Sequence, residues 1–269
     1  MKTTEEASHY AHLDRMSTME LLVGINAEDR HVADAVATTL PAVATLVDGI
    51  VERVPRGGRV FYLGAGTSGR LGIVDASEIP PTYGVRDLFI GIMAGGDRAI
   101  RSAVEGAEDD PEQGWKDLQA FSAGPADTLV GITASGGAPY VVGALQKARE
   151  AGLLTAVISN NVDSPATRVA QIPIVATVGP EFVTGSTRMK SGTSAKLILN
   201  MISTATMVRL GHVQGSSMVD MQLTNRKLVD RGTRMIMEET GINDYEQARA
   251  LLLQYGQVRA AVEAYLKDN

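Results

Sequence analysis

The run from Arg59 to Pro80, RVFYLGAGTSGRLGIVDASEIP, constrains the fold more than any other stretch of the chain. Val60–Leu63 is apolar and β-prone. It breaks into Gly64-Ala65-Gly66-Thr67-Ser68-Gly69, after which a helical pattern runs to Glu78, just before Pro80-Pro81. Strand, glycine loop and helix in that order make an anion-binding geometry. Glycines let backbone N–H groups approach a ligand, and the helix N-terminus adds partial positive charge. Thr67 and Ser68 bring hydroxyls to the same place.

Read literally, GAGTSG fits the dinucleotide pattern G-x-G-x-x-G, which also needs an acidic residue at the end of the next strand. That strand is expected at Leu88–Met93; Asp87 precedes it and Asp97 falls in the helix beyond it. A small phosphorylated ligand therefore fits better than a dinucleotide. A tight turn without a ligand is the plainer alternative.

Further strands are predicted at 59–63, 127–133, 154–159 and 172–177, besides 88–93. All are apolar with little alternation, as expected of strands covered on both faces. Helices are predicted near 68–78, 98–108, 112–121 and 139–151, which gives a doubly wound, five-stranded parallel sheet with flanking helices. Such sheets bind ligands at the carboxyl ends of their strands. The third strand ends in a second small-residue loop, Ser135-Gly136-Gly137-Ala138, again before a helix. Before the sheet, Ser17 with Glu20 makes a capping-box pattern opening a helix, and another helix is expected from about 33 to 54. After the sheet, Thr184–Thr193 is dense in hydroxyls and cations, and Arg188 or Lys190 is placed to meet an anion or simply to sit on the surface. A long apolar helix is expected over 196–210, as core or subunit interface, and two short helices over 244–269 with Gly256 near their junction. The organisation predicted is an N-terminal helical arm (1–55), an α/β domain (56–215) and a small C-terminal helical segment (216–269).

Composition removes several classes of function. The net charge of −6 disfavours nucleic acid as a partner. The absence of cysteine removes thiolate chemistry and disulfides and fits a reducing cytoplasm. The four histidines, His9, His12, His31 and His212, show no metal-ligand spacing, so no metal site is expected. No basic-then-apolar leader opens the chain, and no apolar run is long enough to span a membrane. Acid–base chemistry then falls to carboxylates. Glu78 follows Leu71 by seven positions and Val74 by four, so it shares their helix face. If that face is buried, desolvation raises its pKa and suits it to a general acid; a helix frayed before Glu78 would leave it solvated. In the next helix, Ile100, Ala103, Val104 and Ala107 form the apolar stripe. Glu108 falls roughly 80° from the stripe's centre and Glu105 about 140° away, which makes Glu108 the better candidate to line a cleft.

At these residues the chain resembles the N-acetylmuramic acid 6-phosphate etherases, a family of the sugar isomerase (SIS) fold group. The blocks that carry the resemblance are YLGAGTSGRLGIVDASEIPPTYG, AGGDRAIRSAVEGAEDD, TASGGAPYV, VTGSTRMKSGTSAKLILNMIS and MVDMQLTNRKL, within a likeness that covers nearly all of 4–235. The resemblance implies a cytoplasmic lyase of peptidoglycan recycling. It would cleave the lactyl ether of N-acetylmuramic acid 6-phosphate by elimination and then water addition, without a cofactor. It assigns Glu78 as the acid at the ether oxygen and Glu108 as the base, at C2 or on the incoming water. It places the phosphate between Gly66-Thr67-Ser68-Gly69 and Ser135-Gly136-Gly137, and brings Glu181, Ser186, Thr187 and Lys190 near the sugar. It also implies a homodimer with its sites near the interface. Gly137-Ala138 stands where many relatives carry a polar pair, and the missing hydroxyl puts about 1 kcal/mol of phosphate affinity in question. Two other readings use the same loops: a non-catalytic sugar-phosphate sensor resembling the glucokinase regulatory protein, and an aldose–ketose isomerase, which has no use for an acid at C3.

Overall fold

The computed structural model describes residues 3–223 and 225–268. In chain order the elements are α1 (Thr18–Ala37), α2 (Leu40–Arg53), β1 (Val60–Gly64), α3 (Gly66–Ser77), α4 (Ile79–Tyr83), β2 (Phe89–Met93), α5 (Gly96–Arg101), α6 (Gln113–Gln119), β3 (Thr128–Ile132), α7 (Pro139–Glu150), β4 (Leu154–Ser159), α8 (Pro165–Val169), β5 (Ile172–Val175), α9 (Lys190–Arg209), β6 (Val213–Gln214), β7 (Ser217–Met218), α10 (Arg226–Thr240), α11 (Tyr245–Tyr255) and α12 (Val258–Asp268). Two compact units divide the chain. One comprises 1–77 and 88–206; the other comprises 78–87 and 207–269.

The first unit is built on a parallel five-stranded sheet in the order β2-β1-β3-β4-β5. All five strands fall where the sequence predicts them. The chain leaves β1 in one direction for β2 and returns past it to β3. Right-handed crossovers therefore put α3 on one face and α7 on the other. Strand alternation confirms the arrangement. Tyr62 faces α3, where Gly72 packs so closely that a Cβ there would come within 2.9 Å of the Tyr62 Cβ. Phe61 and Leu63 point the other way, into a core shared with Val141, Ala144 and Leu145 of α7. The α1 N-terminus carries the predicted capping box: the Ser17 side chain accepts from Glu20 N–H, and the Glu20 carboxylate accepts from Ser17 N–H. No single helix among the described residues is long and apolar enough to cross a membrane.

Three helix predictions need correction. The helix expected from about 33 to 54 is shorter, because α1 runs on to Ala37 and α2 begins only at Leu40, with Pro41 in its first turn. The helix predicted over 98–108 stops at Arg101, and 102–112 is a run of turns through Gly106 at φ 71°. The α3 helix stops at Ser77 rather than Glu78, because prolines 80 and 81 cannot donate to the preceding turn and crowd its carbonyls. Glu78 instead opens the short helix α4, is solvent-exposed, and follows a Val74 that is 57% exposed. The buried helix face expected around Glu78 does not form.

The second unit has its own core of Val219, Met221, Met235, Ile236, Ile242, Ala248, Leu252, Val258 and Ala261. The junction Gly256 is left-handed at φ 72° and ends α11, as predicted. Asp220 knits this unit together, accepting from Arg259 Nε at 3.0 Å and lying 2.9 Å from His212 Nδ1. Partial burial opposes its ionisation, but the Arg259 and His212 contacts outweigh that and hold its carboxyl below the usual range.

Candidate functional site

In the order β2-β1-β3-β4-β5 the chain reverses direction between β1 and β3, and ligands of doubly wound sheets bind at such a switch point. A cleft of about 420 Å³ opens there, at the carboxyl ends of those two strands. Ala65, Gly66, Thr67 and Ser68 line it from the β1–α3 turn. Thr133, Ala134, Ser135, Gly137 and Ala138 line it from the β3–α7 turn. Thr187 and Gly192 approach from the start of α9, and Glu5, Glu108 and Asp109 complete the wall.

Three helices begin at this cleft, and their N–H groups meet three different fates. Ala65 and Gly66 lead into α3 and carry no side-chain acceptor, so its first N–H groups, which have no intrahelical partner, are open to a ligand beside the Thr67 and Ser68 hydroxyls. At α7 the N-cap is Ala138, again without a side-chain cap. There Tyr140 N–H donates to the Glu108 carbonyl at 2.9 Å and Val141 N–H to the Ala138 carbonyl at 3.0 Å. At α9 a fully buried carboxylate does the capping: Glu181 accepts from Lys190 N–H and Ser191 N–H, both at 2.9 Å, and from the Ser191 hydroxyl at 2.8 Å. Elsewhere Ser17, Ser164, Asn225 and Asp244 cap their helices with side chains. The α3 N-terminus is therefore the place where an anion finds unclaimed donors together with a helix dipole.

The residues singled out from sequence divide accordingly. Gly66, Thr67, Ser68, Ser135, Gly137, Thr187 and Glu108 are brought together around the cleft. Gly69 and Gly136 lie behind it and serve packing. A Cβ on Gly69 would sit 2.5 Å from the Met93 Cβ, and one on Gly136, at φ 69°, would sit 2.0 Å from Ser164 Oγ. Glu181 caps α9, and Lys190, only 3% exposed, is ion-paired with Glu28 of α1. Neither of them, nor Ser186, lines the cleft. Glu78 belongs to the second unit.

Glu108 owes its place to its backbone. Its carbonyl is tied to α7 through Tyr140 N–H, which leaves its exposed side chain at the cleft wall. Among the described residues no lysine or arginine lines the cleft. Arg70, in a neighbouring cavity with Glu108, spends its guanidinium on the carbonyls of Ala99 (2.8 Å) and Ile100 (2.9 Å), closing the end of α5. Glu5, Asp109 and Gly192 were not foreseen. Glu5 lies in a polar N-terminal stretch without periodicity, and only the fold brings it here.

Behind the site, Asp75 of α3 is 5% exposed and accepts from Asn200 Nδ2 at 2.6 Å and Ser203 Oγ at 3.1 Å, both on α9. Burial pushes its carboxyl above the usual range against the pull of those hydrogen bonds. The Tyr62 hydroxyl and Asp75 Oδ2 are both buried and without a hydrogen-bond partner among the described residues. Burial, and then the Asp75 charge, push the Tyr62 phenol well up.

Residues 42–149 match the family of glucokinase regulatory protein N-terminal SIS domains. A solved structure from Bacteroides fragilis, described as a candidate phosphosugar isomerase involved in capsule formation, superposes with a TM-score of 0.55 at 22% identity, covering 72% of this chain and 92% of that one. Sheet order, switch-point cleft and these matches define an SIS-type α/β protein. An N-acetylmuramic acid 6-phosphate etherase of Bacteroides thetaiotaomicron is 56% identical over 270 residues, covering 100% of this chain and 97% of that protein. One of Porphyromonas gingivalis is 56% identical over 264 residues, covering 98% and 96%. The chain belongs to the N-acetylmuramic acid 6-phosphate etherase family.

Proposed function

We infer that this protein cleaves the D-lactyl ether of N-acetylmuramic acid 6-phosphate, giving N-acetylglucosamine 6-phosphate and D-lactate in the recycling of cell-wall sugar. The observation that carries the reading is the 56% identity to an etherase over the whole chain, an aligned length that takes in both glutamates and every loop of the cleft. The reaction class, a carbon–oxygen lyase, follows from the chemistry. In the ring-opened substrate the C1 aldehyde acidifies the C2 proton. Glu108 removes it, the C3–O bond breaks, and Glu78 protonates the departing lactate oxygen. Water then adds its oxygen to C3 of the unsaturated aldehyde and a proton returns to C2, so the balance is substrate plus water. The chain supplies two carboxyl groups, and the phosphate sits on the α3 N-terminus with Thr67, Ser68 and Ser135. Glu181 and Lys190 act from behind, by fixing the start of α9, just ahead of which Thr187 reaches the cleft.

The acid role of Glu78 needs a drier setting than the single chain offers. We place it in a cytoplasmic homodimer, a reading supported by the exposed apolar Val74 of α3 and Met201 of α9. A second reading, a sugar-phosphate sensor without turnover, draws on the glucokinase regulatory protein match. Incubation with N-acetylmuramic acid 6-phosphate in ¹⁸O-labelled water separates the two. Unlabelled D-lactate with a sugar labelled at C3 is the expected result, whereas tight sugar-phosphate binding without lactate supports the sensor. Glu78→Gln and Glu108→Gln should each lower kcat by about 10³, the scale of one acid–base contribution. Normal lactate release by Glu78→Gln would refute its assignment.

A further inference from the structure

The N-terminal segment ahead of α1 is pinned across the carboxyl end of the sheet. Thr4 is fully buried, and Asn161 after β4 donates to Thr4 Oγ1 at 3.0 Å. The Thr3 hydroxyl donates to the Asn160 carbonyl at 3.1 Å and to Asn161 Oδ1 at 3.0 Å. On the far side, Ser8 N–H donates to Thr184 Oγ1 at 2.9 Å, the Ser8 hydroxyl donates to the Phe182 carbonyl at 2.7 Å, and the Tyr10 ring packs tilted against Phe182 with centroids 4.6 Å apart. Between these anchors Glu5 is exposed and lines the cleft. Its Oε2 lies beside Gly185, 3.9 Å from where a Cβ there would stand.

A carboxylate held at an anion cleft is a specific device. It cannot contact phosphate, because like charges repel, and an ionised carboxylate only accepts hydrogen bonds. None of the described residues gives it a donor. The partner it fits is a hydroxyl or amide N–H of the ligand, on the side of the cleft away from the α3 N-terminus.

We propose that Glu5, delivered by the pinned N-terminal strap, is a sugar-binding carboxylate that accepts a hydrogen bond from a donor on the sugar while the phosphate occupies the α3 end. The proposal rests on the sugar-phosphate reading of the cleft. It makes the strap part of the binding site and gives the cleft two poles, donors for the phosphate and an acceptor for the sugar. A ligand with phosphate but no sugar gains nothing from Glu5 and loses a repulsion when it is removed.

The test compares wild type, Glu5→Ala and Glu5→Gln in direct titration with N-acetylglucosamine 6-phosphate, in competition by inorganic phosphate, and in turnover of N-acetylmuramic acid 6-phosphate. Glu5→Ala should weaken sugar-phosphate binding and raise KM by about tenfold, the worth of one hydrogen bond to a charged group. Its kcat should change little, and inorganic phosphate should bind as well as or better than to wild type. Glu5→Gln keeps a neutral acceptor and should recover part of the loss. Melting temperatures should be unchanged, because Glu5 supports no other described residue; a fall in all of these readouts together would mark a structural role and overturn the proposal. Asn161→Ala, which releases the strap with Glu5 intact, should reproduce the KM defect without adding to that of Glu5→Ala. Sugar-phosphate affinity within twofold of wild type in Glu5→Ala, with phosphate still competing, overturns the role of Glu5 alone. Failure of wild type to bind either sugar phosphate or phosphate overturns the underlying reading instead.

Discussion

Helices α3 and α9 start at the same cleft, yet one is open and the other is closed. At α9, Glu181 fills the N-terminus from within, taking two N–H groups and a hydroxyl, and the adjacent Lys190 is neutralised by Glu28. At α3, Ala65 and Gly66 offer nothing to the N–H groups that follow them. A buried carboxylate at a helix start makes structure; the same dipole left uncapped is free to take an anion. An alanine where an acceptor would ordinarily cap costs about 1 kcal/mol of stability, which a bound anion can return.

Substitutions that swap the two states test this contrast, the largest effect first. Glu181→Leu leaves two buried N–H groups and a hydroxyl unsatisfied and should destabilise the protein by about 4 kcal/mol in chemical unfolding. A loss below about 1 kcal/mol would show the cap to be dispensable. Ala65→Asp gives α3 an internal carboxylate of its own. It should weaken sugar-phosphate binding by about 100-fold, or ~2.7 kcal/mol, while leaving stability equal or higher. Unchanged affinity would move the phosphate away from α3.

Asp75, on the same helix, is a buried acid whose pKa is raised when folded. The folded state therefore holds its proton more tightly than the unfolded state. The stability it confers is fully present below its unfolded pKa of 3.8 and is lost as pH rises through the higher folded value. Asp75→Asn, which also brings an N–H donor toward the orphaned Tyr62 oxygen, should remove that loss. Its gain over wild type should be present at pH 7 and should vanish near pH 3; a pH-independent difference would refute this account. The smallest effect is expected at another side-chain-capped end, in α1. Ser17→Ala should cost about 1 kcal/mol and leave KM and kcat untouched, since that cap lies outside the cleft.

The sheet and the cleft were legible in the sequence because each strand is apolar on both faces and each glycine loop is followed by a helical pattern. What was hidden depended on partners remote in sequence. Lys190 reads as a cation among hydroxyls, and nothing local shows that Glu28, 162 residues away, neutralises it. Glu181 reads as a free acid until the start of α9 folds onto it. The turn at Gly106 cut a helix that the apolar spacing of Ile100 to Ala107 had extended. Helix α10 was missed because Gly232 and Thr233 interrupt its buried face with residues that carry no hydrophobic signal. Glu78 and Glu108 were singled out by helix faces that do not form as drawn. Glu108 reaches the cleft through a backbone tie to α7, and Glu78 sits in the open.

Among the described residues the cleft wall carries Glu5, Glu108 and Asp109 but no cationic side chain, on a protein of net charge −6. Long-range attraction cannot steer a substrate that carries both a phosphate and the lactyl carboxylate to such a mouth; the field opposes its approach until it comes within reach of the α3 donors. Added electrolyte screens that opposition over a Debye length of about 10 Å at 0.1 M, while short contacts to backbone N–H groups are screened far less. Substrate capture should therefore quicken as ionic strength rises, the reverse of the behaviour of an enzyme that draws phosphate in with lysines and arginines.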